Sequence, residues 1–589
     1  MNFAAIEHKA YGSNCYALDD KSLVIRLKTG YEVKKVELIF GDPFDKKGLY
    51  GDKEWITSSI EIKEQKKLKY QLLWQIVVKP EFKRIKYCFK LYSEEECFYY
   101  FENDFYTEEQ MKLRGPLLQY FIFPWMNEID INKTPNWVNN TIWYQIFVDR
   151  FCNGDERLNP ENVKPWKYEK VSAFDYYGGD LEGIINKLPY LKELGISGIY
   201  LTPIFKGDSN HKYDTKDYEA VDPHFGDEKK LKELIKKAHE HGMKIMIDAV
   251  FNHTSYMHPM WQEVCKKGPE SKYYDWYMIN RWPFDLKDIS TRDGKYYSFA
   301  FAAPMPKLNT CNPKVVNYLI GLLKKWVSDY EIDGIRFDVG NEVSHAFVKQ
   351  VRRELKAINP DIYLCGEIWH DSNAWLLGDE YDAVMNYPFL SSVTEFWCDP
   401  ALKNREFEYA MNYAASLYME QTSCVQLNLL DSHDTERLIN RCADEKAFYE
   451  QLAVLFTMNG SACIYYGTEI ALQGGMDPDC RRCMPWQDIE AGKYTDKLEK
   501  MKKLIHMRSS YPSLRRGDIS YYYDCGNERV LHYKKTLDGE KSVHVYINAS
   551  LEDVNLDEKK AEGFLEHKIL FSNEYSSGVL KAGGVLILA

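Results

Sequence analysis

Between Thr141 and Cys365 the chain alternates short apolar runs with amphipathic stretches, and this constrains its fold more than any other feature. Thr141–Val148 reads as a strand. Leu181–Leu194 has helical spacing and leads into the strand Ile196–Leu201. Glu228–His241, a helix with a Lys/Glu face, passes Gly242 into the strand Lys244–Val250. Pro313–Tyr330 precedes Gly334–Phe337, and Phe347–Ile358 precedes Ile362–Cys365. Strands separated by whole helices pair in parallel, so the fold class is α/β. Polar and charged residues stand at or just beyond the strand ends, at Asp248–Asn252, Asp338, Glu367 and His433–Asp434. An open sheet spreads such ends along a line, whereas a closed (β/α)8 barrel gathers them at one rim. If these residues act together, the barrel is the expected architecture.

The flanks read differently. Leu23–Leu27, Val33–Ile39, Leu72–Val78 and Ile85–Leu91 are short strand-like runs that suggest an N-terminal β-sandwich over 1–125. Ile519–Tyr523, Arg529–Lys535, Ser542–Asn548 and Val579–Leu588 suggest a C-terminal β-sandwich over 507–589, leaving 126–506 for the barrel, with an excursion at 254–306. A chain of 589 residues is expected to divide in this way. Its net charge of -12, without a dominant basic patch, argues against nucleic-acid binding. No run has the length and apolarity of a membrane span, and the first residues lack a signal-peptide core, so a cytoplasmic protein is expected. Its 14 cysteines then read as thiols, most of them buried. Cys480 and Cys483 form a single CxxC, too few ligands to close a zinc site.

The chemistry-bearing residues lie at the strand ends. Arg336 precedes Asp338 by two, which puts both on one side of a strand, where the guanidinium keeps the carboxylate ionised and oriented, as a nucleophile requires. A structural Arg–Asp pair would look the same. Glu367 ends the apolar run Ile362–Cys365 beside Trp369. Retaining glycoside cleavage needs two carboxyl groups roughly 5–5.5 Å apart, one attacking and one handling the proton, and neighbouring strand ends supply that spacing. Asp248 and His253 end a further strand, and His433–Asp434 adds a fourth segment, although Asp434 before Thr435 also suits a helix cap. His253 and His433 lack the spacing of a zinc-protease motif.

These four ordered segments resemble the α-amylase family of glycoside hydrolases, and within it the cyclomaltodextrinase, neopullulanase and maltogenic amylase group, from about Trp143 to Arg508. The resemblance implies Asp338 as nucleophile, Glu367 as general acid/base and Asp434 as transition-state stabiliser. It implies that Arg336 orients Asp338, that Asp248 supports the site, that His211, His253 and His433 bind hydroxyls and that Tyr213 stacks on a sugar. Glu342 would shape the acceptor side. Gly340 and Ser344 stand where the group usually has Ala and Asp. Asn153, Asp155, Asn159, Gly179 and Asp180 resemble the family's structural calcium loop, with Leu158 near a usual ligand position. In the excursion, Trp261, Trp276 and Trp282 are candidates either for the cleft or for local packing. The N-terminal domain resembles the starch-binding-like domain through which relatives form homodimers.

The implied activity is retaining hydrolysis of α-1,4-glucosidic bonds in cyclodextrins, pullulan and short maltooligosaccharides, with transglycosylation. An α-glucosidase or an α-1,6 debranching enzyme is the alternative on the same barrel. An inactive glycan-binding protein would be expected to lack one of Asp338, Glu367 or Asp434, and all are present.

Overall fold

The computed structural model describes residues 1–47, 54–166, 169, 171–285, 287–556 and 567–589, with residues 54 and 116 described by backbone alone. Strands covered on both faces read as continuous apolar runs rather than alternating ones. β1 (Ile142–Ile146), β2 (Gly198–Leu201), β3 (Lys244–Ala249), β4 (Gly334–Phe337), β5 (Tyr363–Gly366), β6 (Ala383–Val384), β7 (Leu427–Asn428) and β8 (Ser461–Tyr465) are buried throughout, apart from half-buried Lys244. They form one parallel sheet in the order β6-β5-β4-β3-β2-β1-β8-β7. Its two end strands meet through a parallel bridge between Met385 and Leu427, with Asn386 N donating to Leu427 O at 2.9 Å. The sheet thus closes on itself, and the expected (β/α)8 barrel is present. Trp143, Tyr200, Met246, Tyr363, Cys365 and Cys463 belong to one core cluster, and none is more than 2% exposed.

The helices follow from their caps and stripes. Asp180 caps Leu181–Leu194, accepting from Gly183 N, and Gly195 at φ 96° ends it in the left-handed region that favours glycine. Asp227 caps Glu228–Glu240, which buries Leu231, Leu234, Ile235 and Ala238 and pairs Glu228 with Lys232 and Glu233 with Lys237 outside. Asn312 caps Pro313–Asp329, with Pro313 at the first helical position. Among the described residues no helix is long and apolar enough to cross a membrane.

Helix Glu445–Thr457 carries an unusual group. Glu450 is 2% exposed, accepts from Trp397 Nε1 at 2.6 Å, and leaves its second oxygen without a partner among the described residues. Burial pushes its carboxyl up to about 8, against the Trp397 hydrogen bond. The folded value is raised, so this group's stability contribution is complete below the ordinary carboxylate range and is lost as pH rises through 8. Glu450→Gln is expected to raise stability at pH 9 by about 1–3 kcal/mol and to change it little at pH 4. Urea unfolding at both pH values checks this, and equal effects at both would refute it.

The C-terminal strands are β9 (Asp518–Tyr522), β10 (Val530–Thr536), β11 (Val543–Asn548), β12 (Val554–Asn555), β13 (Ile569–Ser576) and β14 (Val579–Leu588). Among the described residues they form one six-stranded antiparallel sheet. β14, ten residues long, pairs with β11, β12 and β13.

A separate compact unit comprises Met1–Lys133 with Asn373–Asp379 and Arg405–Ser423. It holds a four-stranded and a six-stranded antiparallel sheet around Leu23, Ile25, Leu27, Val36, Leu38, Trp74 and Phe89. The segment Arg405–Ser423 joins it by polar contacts: Asn412 Nδ2 donates to Lys67 O, Arg26 to Tyr418 O and Gln421 Nε2 to Ala17 O.

Candidate active site

The barrel geometry brings β3, β4 and β5 side by side, so their C-terminal ends deliver Asp248, Arg336, Asp338 and Glu367 to one place. Arg336 is fully buried and is the hub. Its Nη1 lies 2.8 Å from both oxygens of Asp248 and 2.9 Å from Asp338 Oδ1, and its Nη2 lies 2.8 Å from Glu367 Oε2. One guanidinium thus hydrogen-bonds Asp248 and Asp338 and stands in ion-pair contact with Glu367. The same-side placement of Arg336 and Asp338 expected from the strand period holds.

Two further donors fix Glu367. Val339 N donates to Oε2 at 2.9 Å, and Trp369 Nε1 donates to Oε1 at 3.1 Å. Val339 has φ 47°, a left-handed conformation that a β-branched residue adopts only at a cost of about 1–3 kcal/mol. The strained turn aims the backbone N–H that follows Asp338 at Glu367, which ties the two acids together. Gly340 packs against the same backbone, and a Cβ there would stand 3.1 Å from Glu367 N and 3.2 Å from Gly366 Cα. Glycine at 340 thus avoids crowding the backbone of Gly366 and Glu367. Ser344 begins the helix His345–Ile358 and lines none of the cavity.

The cavity over these groups measures about 380 Å³ and is lined by His211, Tyr213, His253, Asp338, Glu367 and Asp434, with Phe299, Met305, Trp369, Asp477 and Arg481. Asp248, Arg336 and His433 stand behind this lining, almost wholly buried. Tyr213 OH donates to Asp248 Oδ2 at 3.0 Å and lies 2.6 Å from His433 Nε2, its ring stacked on His433 at 5.4 Å. Gln145 Nε2 at 2.7 Å makes His433 Nδ1 an acceptor, so the ring proton sits on Nε2, toward Tyr213 and Asp434. His211 Nδ1 accepts from Tyr213 N, which places its proton on Nε2. Both nitrogens of His253 face protein groups, Tyr213 O at 3.1 Å and Asn252 Nδ2 at 3.4 Å, and its ring stacks on Phe299. Burial holds His211 at about 3 and His253 at about 4, and holds His433 well below the usual range, so all three are neutral donors.

The acids go the other way. Burial pushes Asp338 well above the usual carboxylate range, with Glu367, Asp248 and Asp434 adding repulsion and Arg336 opposing. Burial likewise raises Asp434, and raises Asp248 to about 6, against Arg336 in both cases. Burial and mutual repulsion thus favour the neutral forms of these acids, and the two guanidiniums favour the charged ones.

Asp434 caps no helix. It pairs with Arg481 Nη2 at 3.2 Å, and Arg481 is also held by Asp477 and by the carbonyl of His433. Arg481 and Asp477 were not among the expected site residues. The CxxC that encloses Arg481 has both thiols buried and sets this arginine against the cavity. Glu342 is exposed and does not line the cavity; Lys307 holds it at 2.9 Å. In the excursion Trp261 is buried against Tyr277, Phe284 and Tyr296, Trp276 packs on Tyr273, and Trp282 packs on Phe284. Phe299 and Met305 face the cavity instead.

In the oxygen-rich loop, Asp180 accepts from Gly154 N, Asp155 N and Gly183 N, and Asp155 pairs with Arg157 at 2.7 Å. Asn153 Nδ2 donates to Asn159 Oδ1 at 3.0 Å, while Asn153 Oδ1 is buried and has no partner among the described residues. Gly179 N donates to Asp149 O. The orphaned amide oxygen fits a hard cation, which would displace Arg157 from Asp155. Arg157 is 88% exposed, so solvent screens that pair.

The family model described as "Alpha amylase, catalytic domain" matches residues 145–518, and that described as "Alpha amylase, N-terminal ig-like domain" matches residues 1–127. A cyclomaltodextrinase of Geobacillus thermopakistaniensis is 40% identical over 554 residues, covering 94% of this chain and 92% of its own. An intracellular maltogenic amylase of Bacillus subtilis is 39% identical over 572 residues, covering 95% and 94%. A solved cyclomaltodextrinase structure superposes with a TM-score of 0.88 at 33% identity over 100% of both chains. With Asp338, Glu367 and Asp434 gathered in one cavity at the barrel's C-terminal rim, the chain belongs to the α-amylase family of glycoside hydrolases.

Proposed function

We propose that this chain hydrolyses α-1,4-glucosidic bonds in cyclodextrins, pullulan and short maltooligosaccharides with retention of configuration. The observation that carries this reading is the single guanidinium of Arg336 in contact with both Asp338 and Glu367, two acids that line one cavity. Asp338 attacks that carbon as the glycosidic C–O bond breaks, and Glu367 gives its proton to the departing oxygen. Glu367, now a carboxylate, takes a proton from water. The water oxygen then bonds to the anomeric carbon and releases Asp338. A sugar hydroxyl in place of water gives transglycosylation. Asp434 supplies negative charge near the oxocarbenium-like centre, and Tyr213 and Trp369 offer aromatic faces to the sugars.

Two further features belong to this reading. A structural calcium ion would be held by Asn153, Asp155, Asn159, Gly179 and Asp180, supported by the unpaired Asn153 oxygen. A homodimer would form through the N-terminal unit, supported by its exposed Phe44, Leu113, Leu117, Ile122 and Trp125.

One set of measurements tests all three. Maltose from β-cyclodextrin and panose from pullulan are the expected products. Glucose alone would identify an α-glucosidase, and α-1,6 cleavage of pullulan a debranching enzyme. A melting temperature unmoved by chelator would remove the calcium, and a sedimentation mass of one 69.2 kDa chain would remove the dimer.

A further inference from the structure

Far along the sequence from these acids, the C-terminal sheet gathers another set of ligand-type side chains. β9 and β10 pair antiparallel with Tyr522 opposite His532, and the connection between them brings Asp524 and Cys525 over that histidine. His532 is 5% exposed and lies between two rings, Tyr522 at 4.7 Å and Tyr546 at 4.0 Å, both nearly parallel to it. Its ring is therefore fixed before any ligand arrives. Its Nδ1 stands 2.8 Å from Asp524 Oδ1, and Cys525 Sγ lies 3.6 Å from the same oxygen. One ligand atom from each of the three residues falls within 4.8 Å of the other two.

We propose that Asp524, Cys525 and His532 form a binding site for a zinc-class divalent metal, distinct from the catalytic cavity. The donors are one thiol sulfur, one imidazole nitrogen and one carboxylate oxygen, a set that selects zinc or cobalt over calcium or magnesium. With bonds of about 2.0–2.3 Å, tetrahedral zinc needs ligand atoms about 3.3–3.8 Å apart. The sulfur–oxygen distance already fits. The nitrogen–oxygen distance must open slightly, which exposed Asp524 permits.

A second observation supports the site. His532 Nε2 lies 3.2 Å from His544 Nδ1, and His544 in turn meets the ring of His567 at 5.6 Å. A metal-binding histidine commonly donates its other ring N–H to an acceptor behind it, and His544 Nδ1 is so placed. When the metal binds Nδ1, the ring proton moves to Nε2 and points at His544. Cys525 gives up its thiol proton as the metal–sulfur bond forms, so one proton is released per metal. Water takes the fourth position. The bound ion would pin the β9–β10 connection to the sheet.

The test uses the full chain stripped of metal and titrated with cobalt(II). The expected result is a thiolate-to-cobalt charge-transfer band that saturates at one equivalent and is displaced by zinc but not by calcium. Cys525→Ser should abolish the band and Cys480→Ser should leave it. Asp524→Asn should weaken binding 10–100-fold without altering hydrolysis of β-cyclodextrin. Should His532→Gln fail to fold, the Cys525 and Asp524 variants still decide. No band, a band that survives Cys525→Ser, or one lost with Cys480→Ser would each overturn the proposal.

Discussion

Replacing Glu367 with glutamine is expected to lower kcat/KM on β-cyclodextrin by about 10²–10⁴-fold while leaving the affinity for the glucan nearly unchanged. The residue is 7% exposed and its carboxylate oxygens accept from Val339 N and Trp369 Nε1. Glutamine fills the same volume and keeps one acceptor, so the cavity survives, but no proton reaches the departing oxygen. The choice of substrate separates this role from mere support. A maltoside of an acidic phenol leaves without protonation, so its first step should be almost as fast in the variant. Added azide, which needs no general base, should then restore turnover by forming the glycosyl azide. An equal loss on both substrates would mean that Glu367 only positions its neighbours. Full activity on β-cyclodextrin would remove it from the mechanism.

Much of this site could be read from the strand pattern alone, for a physical reason. β3, β4 and β5 are wholly or almost wholly buried, so their sequences are apolar runs, and a charge at the end of such a run stands out. The two-residue period then put Arg336 beside Asp338, where it is found. β6 and β7 gave no such signal, since two residues each carry no period. Arg481 and Asp477 were hidden because they reach the cavity from a loop, where only long-range contacts decide which side chain points inward. The excursion shows the same limit. Composition left Trp261 open between the cleft and local packing; it fills the interior, and the smaller Phe299 and Met305 face the cavity. Nor does local pattern reveal that Arg405–Ser423 packs with the N-terminal unit, because backbone carbonyls of residues hundreds of positions apart, such as Lys67 and Tyr418, accept the hydrogen bonds involved.

Asp338→Asn should show the opposite movement of activity and stability. Loss of the attacking oxygen removes the covalent route, so kcat is expected to fall by about 10⁴–10⁶-fold, and this time equally on the phenol substrate, because a better leaving group cannot replace a nucleophile. Stability should rise. Burial, then the repulsion of Glu367, Asp248 and Asp434, raises the folded carboxyl of Asp338 well above its usual range in spite of Arg336. A raised folded value means that the stabilising contribution is complete at low pH and is lost as pH climbs through it. Wherever it is ionised, Asp338 therefore strains the fold, and a neutral asparagine of the same shape relieves that strain. Arg336 stays paired with Asp248 and Glu367 in the variant, so no buried cation is stranded. The melting temperature should accordingly exceed the parent's at pH 8 and approach it at pH 4. A variant that is inactive yet melts lower at pH 8 would show that Asp338 holds the barrel rim together; one that still turns over the phenol substrate would show that another residue attacks. The expected pairing, inactive and more stable, is what a carboxylate kept charged for chemistry rather than for folding must give.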